Sequence, residues 1–201
     1  MTYRSFRPFD TKVKEGLQVT VRDVVPDDGD LIELGFDRLS KRSRFFRFMA
    51  SKSRLSDAEV DLFSALNTVD HAAVGALCMR DDMPQPVGIA RYVRTSAESH
   101  SAEIAVTVVD AFHNRGIGTL LLGVLAKMAC ANGISEFLAL VDSENAAMRQ
   151  LLLELGGTEE APNEPEVSIR VPIYQDPTNY PDNEVGAYVR RAYSYAQLSD
   201  G

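Results

Sequence analysis

An apolar strand that runs through a short turn into Gly-x-Gly and then into a leucine-rich helix constrains this chain most: EIAVTVVDAFHNRGIGTLLL, Glu103 to Leu122. A helix beginning near Gly116 exposes unpaired backbone N–H groups in its first turn. Its dipole adds roughly +0.5 charge there, so that end favours an anion. Glycines at 116 and 118 carry no Cβ and let a ligand approach the backbone closely. The junction therefore reads as a phosphate holder.

Spacing tests two common phosphate templates. A P-loop needs Gly-x4-Gly-Lys-Ser/Thr, but Thr119 and Leu120 follow Gly118 and no glycine stands five residues before it. A dinucleotide fingerprint needs a third glycine where Leu121 stands, and no clear acidic ribose ligand ends a second strand. The first template fails and the second is weak.

At 201 residues and 45% apolar content the chain reads as one domain with a single core. A formal charge of −8 gives no overall attraction to nucleic acid and argues against a polyanion partner. Cys78 and Cys130 both lie in apolar segments, so they are expected to be buried, reduced thiols and build neither a disulfide framework nor a metal cluster. No apolar run approaches the ~20 residues of a membrane span, and the start MTYRSFRPFDTK lacks a secretory h-region. A cytoplasmic location is the default expectation.

Periodicity orders the rest. Residues 1–15 read as a mobile arm or extended strap, Leu17–Val25 as a strand, and Pro26-Asp27-Asp28 as the start of a helix reaching Leu39. Lys41–Met49 reads as a second helix, and Ser56-Asp57-Ala58-Glu59 as the capping box of a third. Two strands flank DDMPQP as a hairpin turn, and AEIAVTVV follows as a third strand. The glycine loop opens a helix closed by Asn132-Gly133, EFLALV is the next strand, Ser143 caps a helix that ends at Gly156-Gly157, and EVSIRVPI is the last strand. Seven basic residues between Arg38 and Arg54 read as a solvated helical face interleaved with buried Phe45, Phe46 and Phe48, with guidance of an acidic acceptor or a ligand phosphate as the alternative. Tyr188, Arg191, Tyr195 and Leu198 lie at helical spacing and form a candidate docking face on this or another subunit.

HNRGIG at 113–118 resembles the acetyl-CoA loop of the GNAT superfamily of N-acetyltransferases, Gln/Arg-x-x-Gly-x-Gly/Ala, at every position but the first, where His113 stands. The element order, β-α-α-α-β-β-β-α-β-α-β, is also that of the GNAT fold. The resemblance implies a mixed α/β domain over residues 17–172, with a splayed central sheet flanked by helices. An N-terminal arm, 1–16, precedes it and a C-terminal tail, 173–201, follows. It further implies acetyl-CoA as cosubstrate, no metal, and a pantetheine arm added like a short strand beside Ala102–Val109.

By that resemblance the backbone of Val108 and Val109 binds pantetheine. The backbone of Asn114, Arg115, Gly116, Ile117, Gly118 and Thr119 holds the pyrophosphate, with Arg115 adding a charge-assisted contact. His113 is expected to substitute for Gln at little cost. Asn145, in the family's Asn-x10-Gly spacing with Gly156, is expected near the pantetheine arm. Many relatives carry a Tyr seven residues beyond that Asn to protonate the leaving thiolate, but here Leu152 stands there. Glu103 remains the candidate base, and its pKa would have to rise by partial burial to serve near neutrality.

GIARYVR, the run from Ala102 to Leu122 and EN-x-x-M together resemble bacterial protein lysine acetyltransferases, whose catalytic domain has a Glu at the Glu103 position and likewise lacks the Tyr. RFFRFM at 44–49 is similar to their early Phe-rich helix. A small amine or a protein lysine is the implied acceptor, and a homodimer the implied assembly. Two rival readings are a catalytically weak acyl-CoA-sensing module, motivated by Leu152, and an unrelated phosphate-ligand protein.

Overall fold

The computed structural model describes residues 3–160 and 165–199, so the outermost residues of both terminal segments and 161–164 fall outside it. Eight strands form one sheet in the order β1-β2-β3-β4-β5-β6-β8-β7. They are β1 (Phe9–Lys12), β2 (Gln18–Asp23), β3 (His71–Arg80), β4 (Met83–Arg94), β5 (Ser101–Val108), β6 (Glu136–Asp142), β7 (Thr158–Glu159) and β8 (Glu166–Pro172). The helices are α1 (Gly29–Asp37), α2 (Lys41–Phe48), α3 (Asp57–Phe63), α4 (Ile117–Ala131), α5 (Ala146–Glu154) and α6 (Glu184–Tyr195). Every strand pair is antiparallel except β5–β6.

That exception shapes the molecule. β5 holds β4 in register from Ala102 through Val108, and β6 holds β8 from Glu136 through Asp142. The two inner strands pair with each other only at Ser101↔Glu136, Ala102↔Phe137 and Glu103↔Leu138. Beyond Glu103 they part, and the sheet opens into a cleft. Unpaired edges inside a sheet leave a row of backbone donors and acceptors for another extended chain.

The hairpin is tighter than DDMPQP suggested. Asp81 and Asp82, at φ 52° and 58°, make a two-residue turn in the left-handed region, which short Asp side chains tolerate. Pro84 and Pro86 instead lie on β4, at an end that β5 does not reach. The register shifts between Ala76 and Leu77, which face Gly88 and Pro86, so Val87 is the extra residue of a bulge.

The described parts of both terminal segments join the core. Phe6 is buried and bridges Leu198, and β1 pairs with β2, so residues 3–16 form a strap of the same sheet and not a mobile arm. α4 is apolar almost all round and is the central buried helix. Its Gly123 receives α6, where an added Cβ would stand 2.6 Å from Ala192 Cβ. α6 therefore docks within its own chain, with Val189, Ala192 and Tyr193 buried; of the expected face, Tyr188 packs on the glycine loop, Tyr195 on Phe9 and Leu198 beside Phe6, while Arg191 is exposed. Cys78 is buried and Cys130 half-buried, both free thiols. No helix among the described residues is long and apolar enough to cross a membrane.

Candidate functional site

A cavity of about 880 Å³ occupies the divergence of β5 and β6, lined by Glu103 to Val108, Leu138 to Val141, the 112–119 loop without Arg115, and the first turns of α5. Backbone alternation sets its chemistry. Val109 N–H donates to Val87 C=O at 2.9 Å, so odd-numbered residues of β5 bond β4, and the backbone groups of Ile104, Val106 and Val108 turn to the open side. The expected backbone role thus moves: Val109 is buried with its N–H committed, while Val106, not singled out in the sequence, shares the open edge with Val108.

His113 is tied to that edge. Its Nε2–H donates to Val108 C=O at 2.8 Å, which assigns the tautomer because a carbonyl only accepts. Val108 keeps its N–H for a ligand. Glutamine can offer the same carbonyl an amide N–H, so His113→Gln is expected to change acetyl-CoA affinity by less than about 3-fold, under 0.7 kcal/mol. A titration showing most of the affinity lost would refute a loop that works mainly through its backbone.

The loop is built for close approach. Asn114 and Gly116 both take positive φ, 61° and 80°. Leu120 N–H closes the first helical turn on Gly116 C=O, and the N–H groups of the turn before it have no helical acceptor. An added Cβ on Gly118 would project beside Val106 and Val108, 3.7–3.9 Å from their methyls. Ile117 is buried and Thr119 nearly so, which leaves their backbone to face a ligand.

Two terminal segments clamp this loop. Lys14 N–H donates to Arg115 C=O at 3.1 Å, Arg115 pairs with Glu15 at 3.1 Å, and Lys14 reaches Glu184 at 2.6 Å. Tyr188 of α6 covers Gly116, 3.1 Å from where a Cβ would stand. Arg115 consequently points to the strap and does not line the cleft, so its expected phosphate contact gives way to an ion pair.

Asn145 lines the cleft, and its Oδ1 accepts from Met148 N–H at 3.2 Å as the true N-cap of α5. Ser143 does not cap that helix; its carbonyl accepts from Arg149. Leu152 is fully buried away from the cleft, and no tyrosine is among the lining residues. Glu103 lines the cleft but is exposed, without the partial burial that the base role asked for.

Across the sheet, β5 presents Ala105 and Thr107 to a second chamber under α1, α2 and α3, about 100 Å³ and lined mostly by apolar side chains. The two cavities share Arg47, Phe48, Arg91, Ala105 and Thr107. Asp110 fixes α2 above this junction, its carboxylate accepting from Ser40 N–H and Ser43 Oγ at 2.9 Å each. Burial pushes the Asp110 carboxyl up, but those donors outweigh it and hold it below its usual range.

α2 is not the solvated basic face expected of it. Arg44 stacks on Phe36 at 4.2 Å and donates to three backbone carbonyls, Arg47 turns into the junction, and Phe45 is exposed. Burial and the charge of Arg91 push the Arg47 guanidinium down to about 10, so it stays charged at neutral pH. Arg91 was missed as a site residue, and Arg47 figured only as one of the seven basic residues of its stretch. The available signal was an arginine placed within the apolar alternation of VGIARYVR.

Residues 18–158 match the Acetyltransferase (GNAT) domain family, which decides the matter. The chain is a GNAT acetyltransferase. An acetyltransferase of Pseudomonas aeruginosa is 30% identical over 142 residues, 71% of this chain and 76% of that protein. Acetyltransferase Pat of Mycolicibacterium smegmatis is 31% identical over 150 residues, 74% of this chain but 44% of Pat. The crystal structure of the GNAT domain of S. lividans PAT superposes with a TM-score of 0.75 at 25% identity, covering 82% of this chain and 96% of that one. This GNAT chain is an acetyl-CoA-dependent N-acetyltransferase, and its cleft fits the cosubstrate: an unpaired strand edge for the amides of pantetheine and a glycine turn for the diphosphate. Among the described residues no group of three His, Cys, Asp or Glu side chains is placed to hold a metal.

Proposed function

We propose that acetyl transfer is direct, with acetyl-CoA and a primary amine, small or a protein lysine, bound together against β5. The observation that carries this reading is the shared lining of the two cavities at Arg47, Phe48, Arg91, Ala105 and Thr107. A thioester laid along the open edge at Val106 and Val108 meets an amine entering from the α1–α3 side. Holding both in one geometry supplies much of the rate enhancement. The bound cosubstrate supplies the electrophilic carbonyl.

The chain's residues do the rest. Val106 and Val108 direct backbone N–H groups at the cleft, where they stabilise charge developing on the carbonyl oxygen. Glu103 takes a proton from the ammonium, directly or through water, freeing the lone pair that forms the N–C bond as the C–S bond breaks. With Leu152 buried, the leaving sulfur takes its proton from the attacking nitrogen or from water. Neither cysteine lines the cleft, which favours direct transfer over a cysteine acyl-enzyme.

Glu103→Gln is expected to lower kcat about 100-fold, the low end for a general base because the carboxylate is exposed, with acetyl-CoA affinity intact. The measurement is steady-state CoA release across a panel of amino acids, polyamines and lysine-bearing peptides. Unchanged turnover would remove Glu103 from the proton path.

A further inference from the structure

We propose that Arg47 and Arg91 form a carboxylate subsite for the acceptor, so that the preferred acceptor is a small amine bearing both a carboxylate and an apolar side chain, of the apolar α-amino acid class. The inference rests on the reading of the chain as a direct amine acetyltransferase and specifies its substrate.

The junction holds an excess of positive charge. Among the described residues Arg47 gives no hydrogen bond and no ion pair, and the polar partner of Arg91 is a neutral one, His71 Nε2 at 2.8 Å. Burial and the Arg91 charge both push His71 down, which keeps that imidazole neutral. Among the nearby carboxylates Glu103 pairs with neither arginine, and the other two are engaged elsewhere. Asp28 takes both terminal nitrogens of Arg22 at 2.6 and 2.7 Å, and Glu59 takes Lys52 at 2.8 Å. Both guanidiniums flank the Phe63 ring, 5.4 Å and 4.9 Å from its centroid, and that ring eases their desolvation without cancelling their charge. Two neighbouring, partly desolvated cations without an acid are costly for a fold to keep, and an anionic ligand offsets that cost.

A third polar group points the same way. Thr107 Oγ1 is the one fully buried side-chain nitrogen or oxygen among the described residues that lacks a hydrogen-bond partner, and Thr107 lines both cavities. A carboxylate held by the two arginines offers it an acceptor.

The position suits the acceptor better than the cosubstrate. Arg91 pairs with Ala105 in mid-strand, two cross-strand pairs from Glu103, on the face that carries the second chamber. The glycine loop lies beyond the far end of β5, so the diphosphate has its own site. An amino acid placed here sets its carboxylate on the arginines and its ammonium towards Glu103. Its side chain enters the pocket lined by Leu31, Phe36, Leu55 and Ile89. A chamber of about 100 Å³ beneath three helices takes one apolar side chain and not a folded protein surface.

Matched substrates test this. CoA release is measured with phenylalanine, leucine and methionine, with their decarboxylated amines, and with a lysine-bearing peptide. In parallel, calorimetry measures binding of N-acetylphenylalanine and N-acetylphenethylamine. The proposal expects kcat/KM to favour the carboxylate member by about 100-fold, and expects that ratio to fall at least about 10-fold in R47Q and again in R91Q. Affinity for N-acetylphenylalanine should fall in parallel while acetyl-CoA affinity holds. R47Q, on a surface helix, serves if R91Q fails to fold. Equal use of the decarboxylated amines, preference for the peptide, or a ratio indifferent to R47Q would overturn the subsite. Absence of turnover on every amine would instead strike the transfer reading, and the calorimetric pair would still decide the carboxylate site.

Discussion

Gly116→Val is expected to weaken acetyl-CoA binding about 100-fold, roughly 3 kcal/mol. Gly116 sits at φ 80°, a region that costs an L-residue about 1–2 kcal/mol and a β-branched one more. Its new Cβ would also stand 3.1 Å from the Tyr188 ring, which Lys14 of the strap and Arg191 of the same helix hold in place. In the variant the strained loop relaxes out of this conformation when no ligand is bound, so binding has to restore it and the strain appears as lost affinity. Calorimetric titration with acetyl-CoA measures the effect, and a thermal melt of the free variant separates it from general unfolding. A variant that binds within 3-fold of the parent would show that the turn does not have to hold this shape.

Gly123→Leu is expected to lower the melting temperature by roughly 6–12 °C, from about 3 kcal/mol of overpacking at a domain of this size. The site cannot take even a Cβ, since one would lie 2.6 Å from Ala192 Cβ and 3.2 Å from Val189 Cα. α6 must then lift from α4, and it carries Tyr188 off Gly116 and Glu184 away from Lys14. The functional consequence follows from the clamp: acetyl-CoA affinity should fall together with stability, although residue 123 lies outside the cleft. A scanning calorimetry trace within about 2 °C of the parent would mean that α6 docks more loosely than this packing indicates.

The β5–loop–α4 junction was legible because its constraints are local: an apolar run, two glycines in fixed spacing and a helix start. The capping box at Ser56 and the left-handed Gly133 closing α4 were equally local, and both are where the residues placed them. Features set by long-range partners were not. β1 depends on β2 accepting it as a neighbour, which four residues of FDTK do not announce. The most buried face of α6 is chosen by the gap at Gly123, which puts Val189, Ala192 and Tyr193 inside and leaves Tyr188 and Tyr195 to flank it against the glycine loop and Phe9. Arg115 looked like a phosphate ligand until Glu15 arrived from the strap. Arg47 and Arg91 lie 44 positions apart on a helix and a strand, and only the fold brings them to one ring.

Amide hydrogen exchange with and without saturating acetyl-CoA tests most directly whether the cosubstrate lies along the open edge of β5. The account predicts new protection concentrated in Ile104–Val108 and Asn114–Thr119, with little change in β3 or α3. Protection absent from those two stretches, or confined to the chamber under α1–α3, would contradict it.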